Sequence, residues 1–338
     1  MKSNSSVNPV YFQFTLFRDF GRLRFLFFGL CLLIYLTIIS ANTVIILTIW
    51  LEKSLYQPMY VFISFLSLNA VYGSAGFFPR FLMDILSDTH LISRPFCFIQ
   101  IYVIYTYASY ELMILGIMAY DRFVAICQPL NYHSKMSFRM VRNLLVFAVL
   151  YPACAVGVCL YLTIGLPLCG NKLHRIFCSN WPVVRLSCVL TPVNNIVGRI
   201  LSVITVFFPL LFVLYTYLRI LVVCRRSSAA FRGKALQTCL PHIVTLVNYS
   251  FSLFCELSLS RLEADGVNSF VIVVLTLEFL IIPPINNPLV YGLNLPQIRG
   301  VILKSFQICK IIPPHKNMHR QQLKTLVRNR KKCWNMES

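Results

Sequence analysis

An aspartate and an arginine, Asp121 and Arg122, stand side by side at the end of a long apolar stretch of the chain. A charged pair at the edge of an apolar segment is costly to place, so it indicates a specific role. One interpretation is structural: the long arginine side chain reaches polar surroundings beside a local carboxylate. The other is a lock with two states, in which Arg122 pairs with Asp121 at rest and turns away from it on activation.

A second polar pattern, Asn287-Pro288-Leu289-Val290-Tyr291, ends the last apolar segment. Pro288 frees a helical carbonyl that the Asn287 side chain can satisfy, and this makes a point where the helix can rotate. We expect Tyr291 to move its hydroxyl between water and Arg122. Both patterns suit conformational switching. The sequence has no Ser-His-Asp set, Gly-rich phosphate loop or metal-ligand cluster, so it indicates neither an enzyme nor a cofactor or metal site.

Three further charges fall in or beside apolar segments. Glu111 is either a protonated carboxyl that bonds to nearby Asn or Ser side chains or part of a functional site. Arg199 lies inside an apolar segment, and Arg261 ends one. We expect one of these arginines to bind an anionic ligand through a bidentate contact. For Arg261 the alternative is a surface ion pair with Glu263 or Asp265.

The composition indicates a membrane protein. Of the 338 residues, 57% are hydrophobic and only 12% are charged, whereas a soluble domain has about a quarter charged residues. The formal net charge is +20, from 31 Lys and Arg against 11 Asp and Glu. In a membrane protein this excess is typical of contact with an anionic leaflet and cytoplasmic partners, so it does not indicate a nucleic acid partner.

Helices of about 20 apolar residues can cross the hydrocarbon core of a bilayer. Seven segments qualify, which predicts an all-α bundle of seven transmembrane helices in residues 25–293, after an extracellular tail of residues 1–24. The predicted spans are Phe25–Leu51, Met59–Asp84, Cys97–Cys127, Val141–Leu166, Val193–Cys224, Ala235–Ser260 and Asn268–Leu293. In residues 294–338 we expect a short amphipathic helix, Pro296–Cys309, on the membrane surface, with Cys309 as an acylation candidate, and then a basic cytoplasmic tail.

Charge favours an orientation with the N-terminus outside the cell and the C-terminus inside. With that choice, Lys and Arg are about twice as frequent in the inner segments as in the outer ones. Asn4-Ser5-Ser6 is then a glycosylation sequon on the outer side, whereas the sequon at Asn248 lies inside the sixth span. Four of the 13 cysteines also fall on the outer side, where disulfides persist, and by themselves they allow three pairings: Cys97, Cys169, Cys178 and Cys188.

Several blocks of the chain resemble, in the same order, those of olfactory receptors, which are seven-helix receptors of the rhodopsin-like class that signal through G proteins. The block Met118–Tyr132, which reads MAYDRFVAICQPLNY, resembles the family signature at the inner end of the third helix. Leu55–Tyr60, Lys234–His242 and the NPxxY pattern at Asn287–Tyr291 also match, and Tyr215 lies in the fifth helix where the family carries a tyrosine.

The resemblance covers roughly Leu55 to Arg299, and the blocks Leu68–Gly73 and Pro241–Tyr249 look most like fish receptors. It implies a plasma-membrane receptor that binds a small odorant and activates a heterotrimeric G protein, with Asp121, Arg122, Tyr215, Asn287, Pro288 and Tyr291 in activation. The alternatives are a rhodopsin-like receptor for a lipid or peptide and, from another class, a transporter. The transporter alternative is disfavoured because the chain shows no paired halves.

The resemblance also implies roles for particular residues. It favours the disulfides Cys97–Cys178 and Cys169–Cys188, which would hold a lid over the ligand cavity. It implies that Glu111 belongs to an internal cation site. The class expects an aspartate in the second helix where this chain has Ala70, so tight sodium binding is not expected.

A ligand pocket can be predicted between the outer halves of the third, fifth and sixth helices. Ile104 occupies the position where amine receptors carry an aspartate, so an amine ligand is not expected. Helical spacing suggests the lining, although plain packing between helices explains each residue equally well. The candidates are Ile104, Tyr105, Ala108, Ser109, Arg199, Val203, Tyr249, Cys255 and Arg261.

Overall fold

The structure is a computed structural model that describes residues 8–17, 21, 23–261, 268–293 and 295–311. In this part of the chain, seven helices are long and apolar enough to cross a membrane: α1 (Leu23–Leu51), α2 (Pro58–Leu86), α3 (Arg94–Cys127), α4 (Phe138–Ile164), α5 (Pro192–Arg225), α6 (Ala229–Arg261) and α7 (Ser269–Gly292). The predicted seven-helix fold is confirmed. The bounds differ most at the start of α6, which begins at Ala229 instead of Ala235.

Local sequence explains where several helices begin. Pro58 opens α2 directly after an extended residue, a position where proline loses no helical hydrogen bond. Ser137 caps α4 by accepting a hydrogen bond from the backbone N–H of Met140 at 3.4 Å. Inside α5 the residues Val203–Phe207 form a wider π-helical turn, and Pro288–Leu293 form another at the end of α7. Such turns are frequent at functional sites.

Helix α3 is the central helix of the bundle. It packs against α2, α4, α5 and α6. In its most apolar stretch of 18 residues, 67% is buried, whereas the corresponding share is 22% in α1 and in α4. The exposed side chains of the outer helices are largely leucine, valine, isoleucine and phenylalanine, as expected for a surface that faces lipid. Side chains that point inward from α3 are therefore the ones best placed to connect the other helices.

A small sheet covers one end of the bundle. Strand β1 (Tyr11–Phe14) lies between β2 (Leu91–Ser93), with which it is antiparallel, and β3 (Lys172–Leu173), with which it is parallel. The sequence prediction treated residues 1–24 as a tail, so this strand is an addition to the predicted fold. We call this end of the bundle the sheet end and the opposite end the Arg122 end.

The chain divides into two compact units, Met1–Ile298 and Arg299–Ser338. The first contains the sheet and the seven spanning helices. Helix α8 spans Pro296–Ile311, close to the predicted range Pro296–Cys309. The predicted glycosylation site Asn4 and the predicted acylated side chain of Cys309 lie outside the described part of the structure.

Candidate functional site

A cavity of about 90 Å³ lies toward the sheet end, between α3, α4, α5 and α6. A short helix in the loop between α4 and α5, Asn180–Val184, completes its wall. Its apolar lining includes Ile101, Ala155, Val156, Leu160, Leu201 and Leu257. Its polar lining includes Tyr105, Ser109, Asn180, Trp181, Asn194, Ser202, Thr205, Ser260 and Arg261. An apolar enclosure with a few polar groups is the usual form of a small-molecule site.

Helix α3 presents Ile101, Tyr105 and Ser109 to this cavity. They follow one another at intervals of four residues, so they share one face of the helix. The Tyr105 hydroxyl accepts a hydrogen bond from the backbone N–H of Asn180 at 3.2 Å, which connects α3 to the loop. The cavity therefore includes the predicted residues Tyr105 and Ser109.

Four other predicted lining residues lie elsewhere, and the structure corrects them. Ile104 is 2% exposed and lies near Gly76 of α2, one residue away from the cavity face of α3. The carbonyl of Ala108 accepts a hydrogen bond from the Tyr249 hydroxyl at 2.6 Å, so both residues are used in packing α3 against α6. Cys255 is partly buried but lies two residues before the lining residue Leu257, on the other side of α6.

Arg199 and Val203 also lie outside the cavity lining, on an outward face of α5. Val203 is 53% exposed, and Arg199 is exposed, with its Nε donating to Asn195 Oδ1 at 3.1 Å. Each follows a lining residue, Gly198 or Ser202, by one position. One residue rotates a helix by about 100°. The structure therefore gives α5 a different helical phase from the predicted one. The pocket was predicted between the third, fifth and sixth helices, whereas α4 and the loop also line this cavity.

Arg261 is the charged residue that lines the cavity. Its guanidinium lies 4.3 Å from the centre of the Trp181 ring, a cation–π distance, and its Nη1 donates to Asn195 Oδ1 at 3.0 Å. These contacts fix the guanidinium between α5, α6 and the loop. The acidic residues named as its alternative surface partners, Glu263 and Asp265, lie outside the described residues.

Two other donors in the cavity wall have no hydrogen-bond partner among the described residues: Trp181 Nε1 and Asn194 Nδ2. Both atoms are buried, and a buried donor without an acceptor costs free energy. Together with Arg261 they make the polar part of the cavity rich in donors. Such donors pair with hydrogen-bond acceptors.

The loop segment Lys172–Asn180, which we call the strap, crosses the sheet end of the bundle. Its first two residues form β3, and Cys178 makes a disulfide with Cys97 at the start of α3. The structure also contains the second implied disulfide, Cys169–Cys188, within the same loop. These bonds restrict the strap before any ligand binds, which lowers the entropy that ordering the loop would cost.

The strap also carries a buried ion pair that the sequence analysis missed. Arg175 pairs with Glu256 of α6, and their side chains are only 4% and 9% exposed. Burial lowers the pKa of Arg175 to about 10, with the nearby Tyr105 opposing this effect, so the guanidinium stays charged at neutral pH. The sequence does contain a signal for this pair, because Glu256 is a carboxylate within an apolar span, and such a carboxylate is costly to bury. The same argument singled out Glu111.

A cluster of polar side chains surrounds Glu111 in the middle of the bundle. Asn69 of α2 and Asn287 of α7 each donate to one of its carboxyl oxygens at 2.8 Å. Glu111 is fully buried, and so is Ala70, which stands where the resemblance implied an aspartate. One sequence interpretation of Glu111 was a carboxyl group that bonds to nearby Asn or Ser side chains. The structure shows such hydrogen bonds, and both come from asparagines.

At the Arg122 end the two charges of the predicted lock are paired. Arg122 Nη2 lies 2.8 Å from Asp121 Oδ2, and the Tyr132 hydroxyl donates to Asp121 Oδ1 at 2.8 Å. Burial and then the neighbouring Asp121 carboxylate raise the pKa of Tyr132, so its hydroxyl keeps the proton that it donates. This is the arrangement that the lock hypothesis assigns to the resting state.

The tyrosine of α5 that faces the interior is Tyr217 and not the predicted Tyr215. Tyr215 is 55% exposed, whereas Tyr217 is 9% exposed and hydrogen-bonds to His242 of α6. Two residues along a helix change the direction of a side chain by about 200°. Tyr217 also lies close enough to the charge of Arg122 to interact with it electrostatically, as does the fully buried Tyr291.

Comparison with known proteins places the chain in a family. Residues 30–308 match the family model described as olfactory receptor. Human olfactory receptor 10R2 is 34% identical over 297 residues, which cover 85% of this chain and 86% of that protein. Human olfactory receptor 10A3 is 30% identical over 307 residues, covering 90% and 96%. These relatives give no support to a fish-type receptor.

The crystal structure of squid rhodopsin matches the fold with a TM-score of 0.70 at 15% identity, covering 94% of this chain and 95% of that chain. The match supports the rhodopsin-like arrangement of the helices. The family match favours an odorant receptor over a lipid or peptide receptor and over a transporter. The chain belongs to the olfactory receptor family, and it is a non-enzymatic, seven-helix membrane receptor that responds to an odorant by activating a G protein.

Proposed function

We propose that the cavity binds a small odorant with an anionic head group, and that Arg261 is the residue that recognises this group. The observation that carries the proposal is the composition of the cavity's polar part, where the Arg261 guanidinium accompanies two buried donors that lack acceptors, Trp181 Nε1 and Asn194 Nδ2. A carboxylate supplies two oxygens, each with lone pairs for such donors. Charge-assisted hydrogen bonds of this kind are about twice as strong as neutral ones.

The apolar wall suits the remainder of the ligand. Ile101 of α3, Ala155 of α4, Leu201 of α5 and Leu257 of α6 line the same cavity as Arg261. Burying an aliphatic chain against them contributes about 0.8 kcal/mol per methylene group. The ligand class that fits both parts is a small carboxylic acid with an aliphatic tail.

The signal passes from the cavity to Arg122 through the helices that line the cavity. Ligand binding shifts the balance between two packings only by its difference in affinity for them. In the active packing the Arg122 end of α6 moves outward, Arg122 leaves Asp121, and the G protein enters beside it. Support comes from the paired state of Arg122 and from the hydrogen bond between Tyr217 and His242 that holds α5 to α6.

In the cell the sheet end faces outward and the Arg122 end faces the cytoplasm, with the N-terminus outside and the C-terminus inside. The two disulfides at the sheet end support this orientation, because disulfides persist in oxidising surroundings. The receptor lies in the plasma membrane, where odorants reach the cavity from outside.

The test is the response of Arg261→Ala to hexanoate, octanoate and decanoate, measured with a cAMP reporter in cells that express the receptor. We expect its EC50 for these acids to rise roughly 10- to 100-fold, the effect of losing a hydrogen bond to a charged group. The matched control is Lys172→Ala, which removes an exposed cation of the sheet end outside the cavity lining and should keep the parent EC50. If Arg261→Ala responds to the acids as the parent does, the anionic head group is wrong.

A further inference from the structure

The proposed function leaves the buried ion pair Arg175–Glu256 without a role. Stability alone explains it poorly, because burying two charges costs hydration free energy that their attraction often only balances. The pair joins three elements, since Arg175 lies in the strap, Glu256 in α6, and Thr276 of α7 donates to Glu256 Oε2 at 3.2 Å. It is therefore placed where a change at the strap can affect α6.

Arg175 also has unused capacity to bind an acceptor. A guanidinium has five N–H groups, and here Nη2 bonds to Glu256 while the buried Nε and Nη1 have no partner among the described residues. The guanidinium lies 5.4 Å from the centre of the Phe177 ring, a cation–π distance. A second carboxylate could therefore pair with donors that Glu256 leaves free.

The pair is adjacent to the ligand cavity. Neither residue of the pair lines the cavity, but the strap that carries Arg175 reaches it at Asn180, whose backbone N–H donates to the hydroxyl of the lining residue Tyr105 at 3.2 Å. The same hydroxyl lies within electrostatic range of the guanidinium groups of both Arg175 and Arg261. An anion held in the cavity beside Tyr105 would therefore lie within electrostatic range of both groups.

We propose that Arg175 is a second anion-recognition residue, and that Glu256 occupies it at rest as an internal competitor that the acidic ligand displaces. This inference rests on the proposed function and deepens it, because it names a residue that selects acids and a step that follows their binding. Displacement releases Glu256, and with it α6, from the strap. A neutral ligand of the same shape cannot compete for Arg175 and leaves the restraint in place.

The two partners can be separated by experiment, because their removal should have opposite effects on acid potency. Glu256→Gln frees Arg175, so we expect higher ligand-independent cAMP and an EC50 for octanoate about tenfold lower than that of the parent. Arg175→Gln also breaks the pair and raises ligand-independent cAMP, but it removes the recognition group, so the EC50 for octanoate should rise about tenfold. For octan-1-ol we expect the EC50 values of both variants to shift in the same direction.

All values are normalised to receptor at the cell surface, measured with an N-terminal epitope. The matched control is Lys172→Gln, which removes an exposed cation from the same strap and should leave ligand-independent cAMP unchanged. If either glutamine variant fails to reach the surface, Glu256→Asp and Arg175→Lys are used in their place, since they keep the charges but alter the geometry of the pair. We expect the EC50 for octanoate to shift in the same opposite directions.

Shifts of octanoate EC50 in the same direction for both variants would overturn the role of Arg175 in recognition. Unchanged ligand-independent cAMP in both would overturn the role of Glu256 as a restraint. Acid responses that depend on Arg261 but not on Arg175 defeat this inference alone. A parent receptor that responds to octan-1-ol but to none of the acids defeats the proposed function and this inference together.

Discussion

Glu111 shows how neighbouring side chains can satisfy a buried carboxyl group without a cation. Asn69 and Asn287 each donate to one of its oxygens, so both oxygens have partners. The second anionic ligand that a cation site would use is missing, since Ala70 stands in its place. We therefore expect signalling by this receptor to be insensitive to sodium.

Ala70→Asp should make the receptor sodium-dependent. The new carboxylate would directly follow Asn69, which bonds to Glu111, at a fully buried position where an uncompensated charge is strongly unfavourable unless a cation or proton binds with it. We expect the melting temperature of the purified variant to be higher in sodium chloride than in choline chloride at equal ionic strength. Ala70→Asn, which has nearly the same shape without the charge, is the control. Equal sodium dependence of the two variants would exclude a cation site at this position.

At the scale of single helices, the sequence predicted the spans well and the direction of side chains less well. Length and hydrophobicity locate a span because lipid imposes both along its whole length. They fix the rotation of a helix poorly, because outward positions in lipid are as apolar as inward ones. Arg199 and Val203 were assigned to the ligand pocket and Tyr215 to activation, and all three are exposed on α5.

The rotation of α5 about its own axis can be tested by making the same substitution, tyrosine to phenylalanine, at two positions. Tyr217→Phe removes the hydroxyl that bonds to His242 and leaves a buried polar group without a partner, which costs about 1–3 kcal/mol in the resting packing. We expect ligand-independent cAMP per surface receptor to rise several-fold. Tyr215→Phe changes a side chain that faces away from the bundle and should match the parent. A larger effect at Tyr215 than at Tyr217 would mean that the rotation of α5 is wrong.

At the scale of the whole molecule, the sheet and the strap depend on contacts between distant parts of the chain. Strand β1 pairs with residues near 92 and near 172, and Arg175 pairs with Glu256. Periodicity reports only on neighbours along the chain, so it could not predict these pairings. The two disulfides were predicted by family resemblance, since the residues alone allowed three arrangements.

The sheet end predicts that the N-terminal segment contributes to stability. Phe12 is fully buried in a cluster with Ile92 and Leu173, whereas Tyr11 on the opposite face of the strand is 52% exposed. Phe12→Ala should cost about 3–5 kcal/mol by leaving a cavity, and it should lower both the melting temperature and the amount of receptor at the surface. Tyr11→Ala should change neither appreciably. Equal melting temperatures for the two variants would show that β1 does not pack as described.

The orientation of the bundle gives a prediction that depends on every span at once. With an odd number of crossings the two termini lie on opposite sides of the membrane, and glycosyltransferases act only on the outer side. We therefore expect a glycosidase-sensitive band that Asn4→Gln abolishes. Asn248→Gln should leave the band unchanged, because Asn248 lies within α6.

An epitope at the C-terminus should become accessible to antibody only after the cells are permeabilised. A C-terminal epitope stained on intact cells would reverse the orientation and move the cavity to the cytoplasmic side, where no external odorant could reach it directly.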